Sequence, residues 1–162
     1  MTEYTRPATW DDLVELVKAL EREGARYALI GGYAVAAHGY NRFSEDVDIL
    51  VDPSPDNTPR WVAALCTLPD RAAEELKDDP EVFQREGHYA IRINDEITVD
   101  AMPAACGHGW EELSRYAIRM DLGGGVMMTV LSLEGLLLTK EGMRDKDRAD
   151  RAVLLKALGR GE

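Results

Sequence analysis

Apolar positions fall at helical spacing in the first part of the chain and at strand spacing past its middle. Trp10, Leu13, Val14, Val17 and Leu20 repeat at i, i+3, i+4, which predicts an amphipathic helix covering one face of a sheet. Thr9 and Asp12 make a capping-box pattern just after Pro7, and Gly24 marks the helix end. Tyr27 to Ile30 is a short apolar strand and Gly31-Gly32 a turn. The alanine-rich stretch Tyr33 to Gly39 is a small-sided helix closed by its glycine. A polar loop, Asn41 to Glu45, leads to a second strand, Asp46 to Val51. The loop around Pro53 and Pro55 ends at Thr58, an N-cap, and Pro59, the first helical position of a helix to about Leu68. Another short helix spans Asp70 to Asp79, stopped by Pro80.

From His88 the period changes to two. Tyr89, Ile91 and Ile93 alternate with His88, Arg92 and Asn94, the mark of a half-buried strand. Asn94-Asp95 predicts a tight turn. Glu96 to Met102 then returns as the antiparallel partner, with Ile97, Val99 and Ala101 inward and Thr98, Asp100 and Met102 outward. Trp110 to Tyr116 reads as a short helix. Ile118 to Leu122 and Val126 to Val130 make a second hairpin across a flexible turn, Gly123-Gly124-Gly125. Ser132 caps a helix from Leu133 to about Met143, and a last helix starts at Asp145 or Asp147 with Ala149, Val153 and Leu154 inward. The fold class is α+β, a small mixed sheet of four to six strands flanked by helices. No repeat or linker interrupts it, so residues 1–162 are expected to form a single domain with a helical C-terminal part at about 132–158.

Composition narrows the setting. With 45% hydrophobic and 30% charged residues the chain reads as an ordinary globular protein, and no apolar run approaches the ~20 residues of a membrane span. The N-terminal segment has neither the basic nor the apolar region of a secretory signal. Cys66 and Cys106, far apart, suit reduced thiols. A cytoplasmic location without membrane contact is expected. The net charge of −11 argues against broad nonspecific nucleic-acid binding. Residues 140–160 are locally basic, at +3, against −14 for the remainder. That segment either faces a phosphate or places cations at a helix C-terminus.

The stretch from Ala28 to Asp52 carries the candidate chemistry. Asp46 and Asp48, two apart on a strand, share one face, while Val47, Ile49 and Val51 point into a core. Beside them Gly31 and Gly32 open a helix whose unpaired N–H groups favour an anion. A carboxylate pair next to an anion-binding helix start suits a metal–triphosphate site. Asp100, on the outer face of its strand, completes a triad. Three converging carboxylates repel one another unless cations are bound, and two Mg²⁺ ions remove that repulsion. Lys140 falls where the stripe Leu133, Leu136, Leu137 calls for another leucine, so its ammonium either meets phosphates or snorkels past the core edge. Ser44 either donates to a γ-phosphate or caps its loop. Helix capping and surface pairing account for Asp147 and Asp150. Cys106-x-His108 lacks the second pair of a zinc site. No Gly-Lys-Ser/Thr follows the glycines, so they are not a Walker loop.

Together, Gly-Gly at 31–32, Asp-Val-Asp at 46–48 and Val-Asp at 99–100 resemble the nucleotidyltransferase superfamily related to DNA polymerase β. The segment from Lys140 to Asp150 is similar to a Lys…Lys-Asp-x-x-Asp signature of small members. Those members are the antibiotic (lincosamide and aminoglycoside) nucleotidyltransferases and the toxins of abortive-infection and toxin–antitoxin systems. The resemblance covers roughly Tyr27 to Leu158. It implies a nucleotidyltransferase-like fold with Asp46, Asp48 and Asp100 as catalytic metal ligands, Asp100 also serving as base. It implies Gly31, Gly32, Ser44 and Lys140 as nucleotide-binding residues for ATP or another NTP, and Mg²⁺, two ions, as cofactor, with Mn²⁺ the alternative. The implied chemistry moves an NMP from an NTP to a hydroxyl acceptor and releases pyrophosphate. The acceptor is a small molecule, or tRNA or protein for a toxin-type enzyme with an antitoxin partner. The chain ends soon after the last helix, so the acceptor is expected to fit the core domain or arrive with a partner. A competing expectation is a catalytically silent nucleotide-binding or partner-binding module of the same fold. The intact triad counts against it.

Overall fold

The computed structural model describes residues 5–40, 44–85, 90–140 and 145–159, and of 145–148 the backbone only. The first helix, α1 (Trp10–Arg22), carries the capping box in full. The Thr9 hydroxyl accepts from the Asp12 amide at 3.2 Å, and Asp12 accepts from the Thr9 amide at 2.8 Å. Its buried face is Leu13, Leu16, Val17, Ala19 and Leu20. Trp10 stays 39% exposed and lies against the Tyr33 ring, so it does not begin the stripe. Each fully buried leucine stabilises by on the order of 2 kcal/mol, which makes α1 a strong clamp on the core.

Eight strands follow among the described residues: β1 (Tyr27–Ile30), β2 (Val47–Val51), β3 (Ile91–Asn94), β4 (Thr98–Met102), β5 (Ala104–Ala105), β6 (His108–Gly109), β7 (Ala117–Asp121) and β8 (Met127–Leu131). Six of them form one mixed sheet in the order β3-β4-β2-β1-β8-β7. The β1–β2, β3–β4 and β7–β8 pairs are antiparallel, and β1–β8 and β2–β4 are parallel. All four residues of β1 are buried, as a central strand covered on both faces requires. Helices α2 (Gly31–Ala37) and α3 (Thr58–Leu65) follow β1 and β2, and α4 (Trp110–Leu113), α5 (Leu133–Leu138) and α6 (Asp145–Ala157) complete the set. The architecture is α+β, a mixed sheet flanked by helices. Among the described residues no helix is long and apolar enough to cross a membrane.

Polar side chains pin the layers together. Glu21 of α1 accepts from Tyr27 Oη at 2.8 Å and pairs with both Arg119 terminal nitrogens of β7. Buried Asn57 accepts from the Arg26 amide and donates to the Arg26 and Asp52 carbonyls, extending the β1–β2 ladder with a side chain. His38 Nε2–H donates to the Leu131 carbonyl at 2.9 Å, tying the end of α2 to β8.

Several elements differ from the sequence expectation. The 70–79 stretch forms only a 3₁₀ turn at Ala72–Leu76, because the buried Asp95 carboxylate accepts from the amides of Asp70, Ala72 and Glu96 and draws the chain out of an α-helix. The same residue makes the β3–β4 loop three residues long, with Asn94 paired to Thr98, where a tight two-residue turn was expected. Helix α3 ends at Leu65, ahead of Leu68, and takes Asn57 as its N-cap position, with Thr58 its first residue. Helix α5 stops at Leu138, and its expected continuation to Met143 runs into 141–144, outside the described residues, as His88 and Tyr89 also are. On α6, Leu154 and Asp150 face inward, whereas Ala149 and Val153 are exposed. The β5–β6 pair was not anticipated. Its two-residue turn, Cys106-Gly107, has positive φ at both positions, the twist a tight hairpin needs.

The capping box gives a pH signature. Two hydrogen bonds from Arg6, helped by the Thr9 amide and hydroxyl, hold the Asp12 carboxyl down at about 2 in the folded state. Its folded value lies below the unfolded one near 3.9, so the stabilisation is complete above about pH 4 and fades as pH falls through about 2. Asp12→Asn is expected to cost about 1 kcal/mol at pH 7, small because the site is shallow and water-screened. In urea melts across pH, the gap between variant and wild type should close between about pH 4 and pH 2.

Candidate active site

One row of paired residues crosses the sheet. Ile30 of β1 pairs with Asp48 of β2, Asp48 with Asp100 of β4, and Asp100 with Arg92 of β3. Residues paired across a ladder share a face and stand about 5 Å apart at Cα. Asp48 and Asp100 therefore stand side by side, although 52 positions separate them in the chain. Asp46 sits one residue before β2 begins at Val47, outside the strand in which it was expected. The acidic face is short. Leu50 follows Asp48 on the same side of β2 and is fully buried, so carboxylates occupy only the N-terminal end of the strand.

Gly31 explains how Asp48 is seated. Its φ is +76°, and a Cβ built on it would fall onto the Asp48 carboxylate and lie 3.0 Å from the Asp48 Cβ. Any side chain there meets both a disfavoured backbone region and an occupied space. Gly32 is buried in the first turn of α2 beside it. The Ser44 hydroxyl donates to the Asp46 carbonyl at 2.9 Å, shaping the entry to the strand as a loop cap does.

Arg92 belongs to this face and was not anticipated. Its Nε and Nη2 donate to the two Asp100 oxygens at 2.9 and 3.1 Å, and Nη2 stands 3.6 Å from Asp46 Oδ2. Hydrogen bonding to Asp100, with smaller help from the charges of Asp46 and Asp48, raises the guanidinium pKa further. The hairpin register was the signal that would have found it. A three-residue loop puts Asp100 opposite Arg92, whereas a two-residue turn puts Ile97 opposite Arg92.

Lys140, just past the end of α5, is paired with the last helix. Its ammonium is 3.1 Å from Asp150 Oδ2, the side chains 8% and 3% exposed, so the pair locks α5 to α6 inside the protein. Asp150 thus has a buried ionic partner, where a surface pair or cap was expected; the Asp147 side chain lies outside the described residues. Cys106 Sγ donates to the Thr139 carbonyl and His108 pairs with Glu112, so neither is spent on a shared site.

The carboxylate oxygens of Asp46, Asp48 and Asp100 are hard donors of the kind that suits a divalent cation such as Mg²⁺. Among the described residues no three His, Cys, Asp or Glu side chains converge as a finished metal cage. Asp100 gives both oxygens to Arg92 instead.

A family model described as nucleotidyl transferase AbiEii toxin, type IV TA system, matches residues 13–140. The chain belongs to this AbiEii family. It is a nucleotidyltransferase by that membership. The matched span contains the three carboxylates, both glycines and Ser44, and its last residue is Lys140. Among curated proteins none matches. Among solved structures, an antigenic nucleotidyltransferase-like protein from Paracoccidioides brasiliensis is similar over 93% of this chain and 78% of that chain, with 19% identity and a TM-score of 0.49.

Two stability measurements check this geometry. Gly31→Ala should destabilise by about 1–3 kcal/mol and by more than Gly39→Ala, whose φ is also positive but whose added Cβ meets nothing within 4 Å. Equal losses in urea melts would remove the Asp48 contact from the explanation. Lys140→Met should cost about 3–5 kcal/mol by stranding a buried carboxylate, and Lys140→Met with Asp150→Leu should recover much of it.

Proposed function

We propose that this AbiEii-family chain transfers a nucleoside monophosphate from an NTP to a hydroxyl acceptor and releases pyrophosphate. The observation that carries the proposal is the in-register pair Asp48–Asp100, with Asp46 on the same strand approach and Gly31 clearing room for Asp48. In this proposal Asp46, Asp48 and Asp100 hold Mg²⁺, with Mn²⁺ as substitute. Bound there, the ions would neutralise charge on the attacking and leaving oxygens.

The remaining work belongs to the chain. Asp100 accepts the proton of the acceptor hydroxyl as its oxygen bonds to the α-phosphorus. The bond from that phosphorus to the α–β bridging oxygen breaks, and pyrophosphate departs with the electron pair. Gly31 and Gly32 offer backbone close to the triphosphate. Ser44, at the strand entry, turns its hydroxyl from the Asp46 carbonyl toward phosphate. Lys140 contributes positive charge, through its Asp150-anchored position, to the phosphate end. Most of the rate then comes from positioning and charge stabilisation.

The family description favours a toxin-type acceptor, a hydroxyl of tRNA or of a protein, over an antibiotic-like small molecule. It also favours an antitoxin as the functional counterpart. The exposed Lys156 on α6 suits contact with a polyanion better than the acidic remainder of the chain does.

The test is incubation with Mg²⁺ and each α-labelled NTP, with and without total tRNA. Label transfer and pyrophosphate release are expected for the wild type. Asp48→Asn should fall to the uncatalysed background while keeping the far-UV circular dichroism of the wild type. Turnover retained in that variant would remove Asp48 from the site.

A further inference from the structure

We propose that Arg92 is an exchangeable counter-ion of the carboxylate face: it neutralises Asp100 and Asp46 in the free protein and releases Asp100 when a divalent cation and an NTP are taken up. This rests on the nucleotidyl-transfer proposal and adds to it a positioning residue that couples the two ligands.

Three observations support it. The position is built in, because the β3–β4 register sets Arg92 directly opposite Asp100. The engagement is specific, because the guanidinium takes both Asp100 oxygens and reaches Asp46 at 3.6 Å. The exposure is one-sided: the Asp100 side chain is 14% exposed and Arg92 60%. The carboxylate is held by the sheet while the arginine has solvent to move into.

Chemistry supplies the rest. Carboxylates crowded on one face repel, and a nearby cation relieves that repulsion. A guanidinium at hydrogen-bond distance competes with a divalent cation for the same oxygens and repels it as a like charge. Once displaced, Arg92 stands beside a face where a triphosphate is to bind, and planar guanidinium groups pair well with phosphate. A triphosphate therefore stabilises the displaced arginine, and the two binding events favour each other.

The experiment titrates Mn²⁺ against the full chain by the paramagnetic resonance of free Mn²⁺, with and without an ATP analogue bearing a methylene between the α and β phosphorus atoms. Wild type, Arg92→Gln, Arg92→Lys and Asp48→Asn are compared. Without the analogue, Arg92→Gln should bind Mn²⁺ roughly tenfold more tightly than wild type, and Arg92→Lys, which keeps the charge but not the fork, should fall between. The analogue should tighten Mn²⁺ binding to wild type more than to Arg92→Gln. Arg92→Gln should also melt below wild type in chelator and regain the difference with Mn²⁺. Mn²⁺ affinity unchanged or weaker in both arginine variants overturns the counter-ion role and leaves the nucleotidyl-transfer proposal standing. A purely structural arginine would lower the melting temperature without moving that affinity. If wild type binds no Mn²⁺, or Asp48→Asn binds it as wild type does, the nucleotidyl-transfer proposal falls and the counter-ion role with it.

Discussion

Strand β2 is hydrogen-bonded on both sides, antiparallel to β1 and parallel to β4, and the carboxylate face exists only in the register of those two ladders. Side chains alternate along a strand, so a slip of one residue would turn Asp48 toward the core and Ile49 outward. Burying an unpaired carboxylate is costly enough to forbid that slip. Val47, Ile49 and Val51, all buried, hold the register from the apolar side. Gly31 holds it from the other, since no larger residue leaves the Asp48 carboxylate its place. The polar site is thus positioned by residues with no chemistry of their own.

Two ion pairs in the structure differ in character. Lys140–Asp150 is almost wholly buried, so separating its members leaves a desolvated charge and the pair acts as a rivet between α5 and α6. Arg92–Asp100 has one half-exposed member, and water softens the cost of parting it. Burial, more than distance, divides permanent structure from adjustable structure here.

Much of this was legible in the sequence where local rules govern. Thr9 and Asp12 announced α1, and alternation placed Val99 and Ala101 inward and Asp100 outward. The residue types of the site could be read as well, because Gly31, Asp46, Asp48 and Asp100 are unusual choices for an apolar strand and its turn. What depends on distant partners was not legible. Asp95 reaches back to residues 70 and 72, and so shortens an expected helix and lengthens a hairpin loop in one stroke. That loop length decides whether Asp100 or Ile97 faces Arg92. On α6, apolar spacing favoured Ala149 and Val153 as inward positions, but the ion pair to Lys140 turned Asp150 inward instead.

The parallel pairing of β1 with β8 has a temporal side. Leu29 finds its partner Val130 only after about a hundred further residues have been joined to the chain. Until then the central strand has an open edge, and loop closure of that length is slow compared with hairpin formation. During synthesis the β3–β4 and β7–β8 hairpins can close locally, while the middle of the sheet waits. The sheet bearing the carboxylates is therefore completed late, and a ribosome carrying an unfinished copy holds a chain without its full central scaffold.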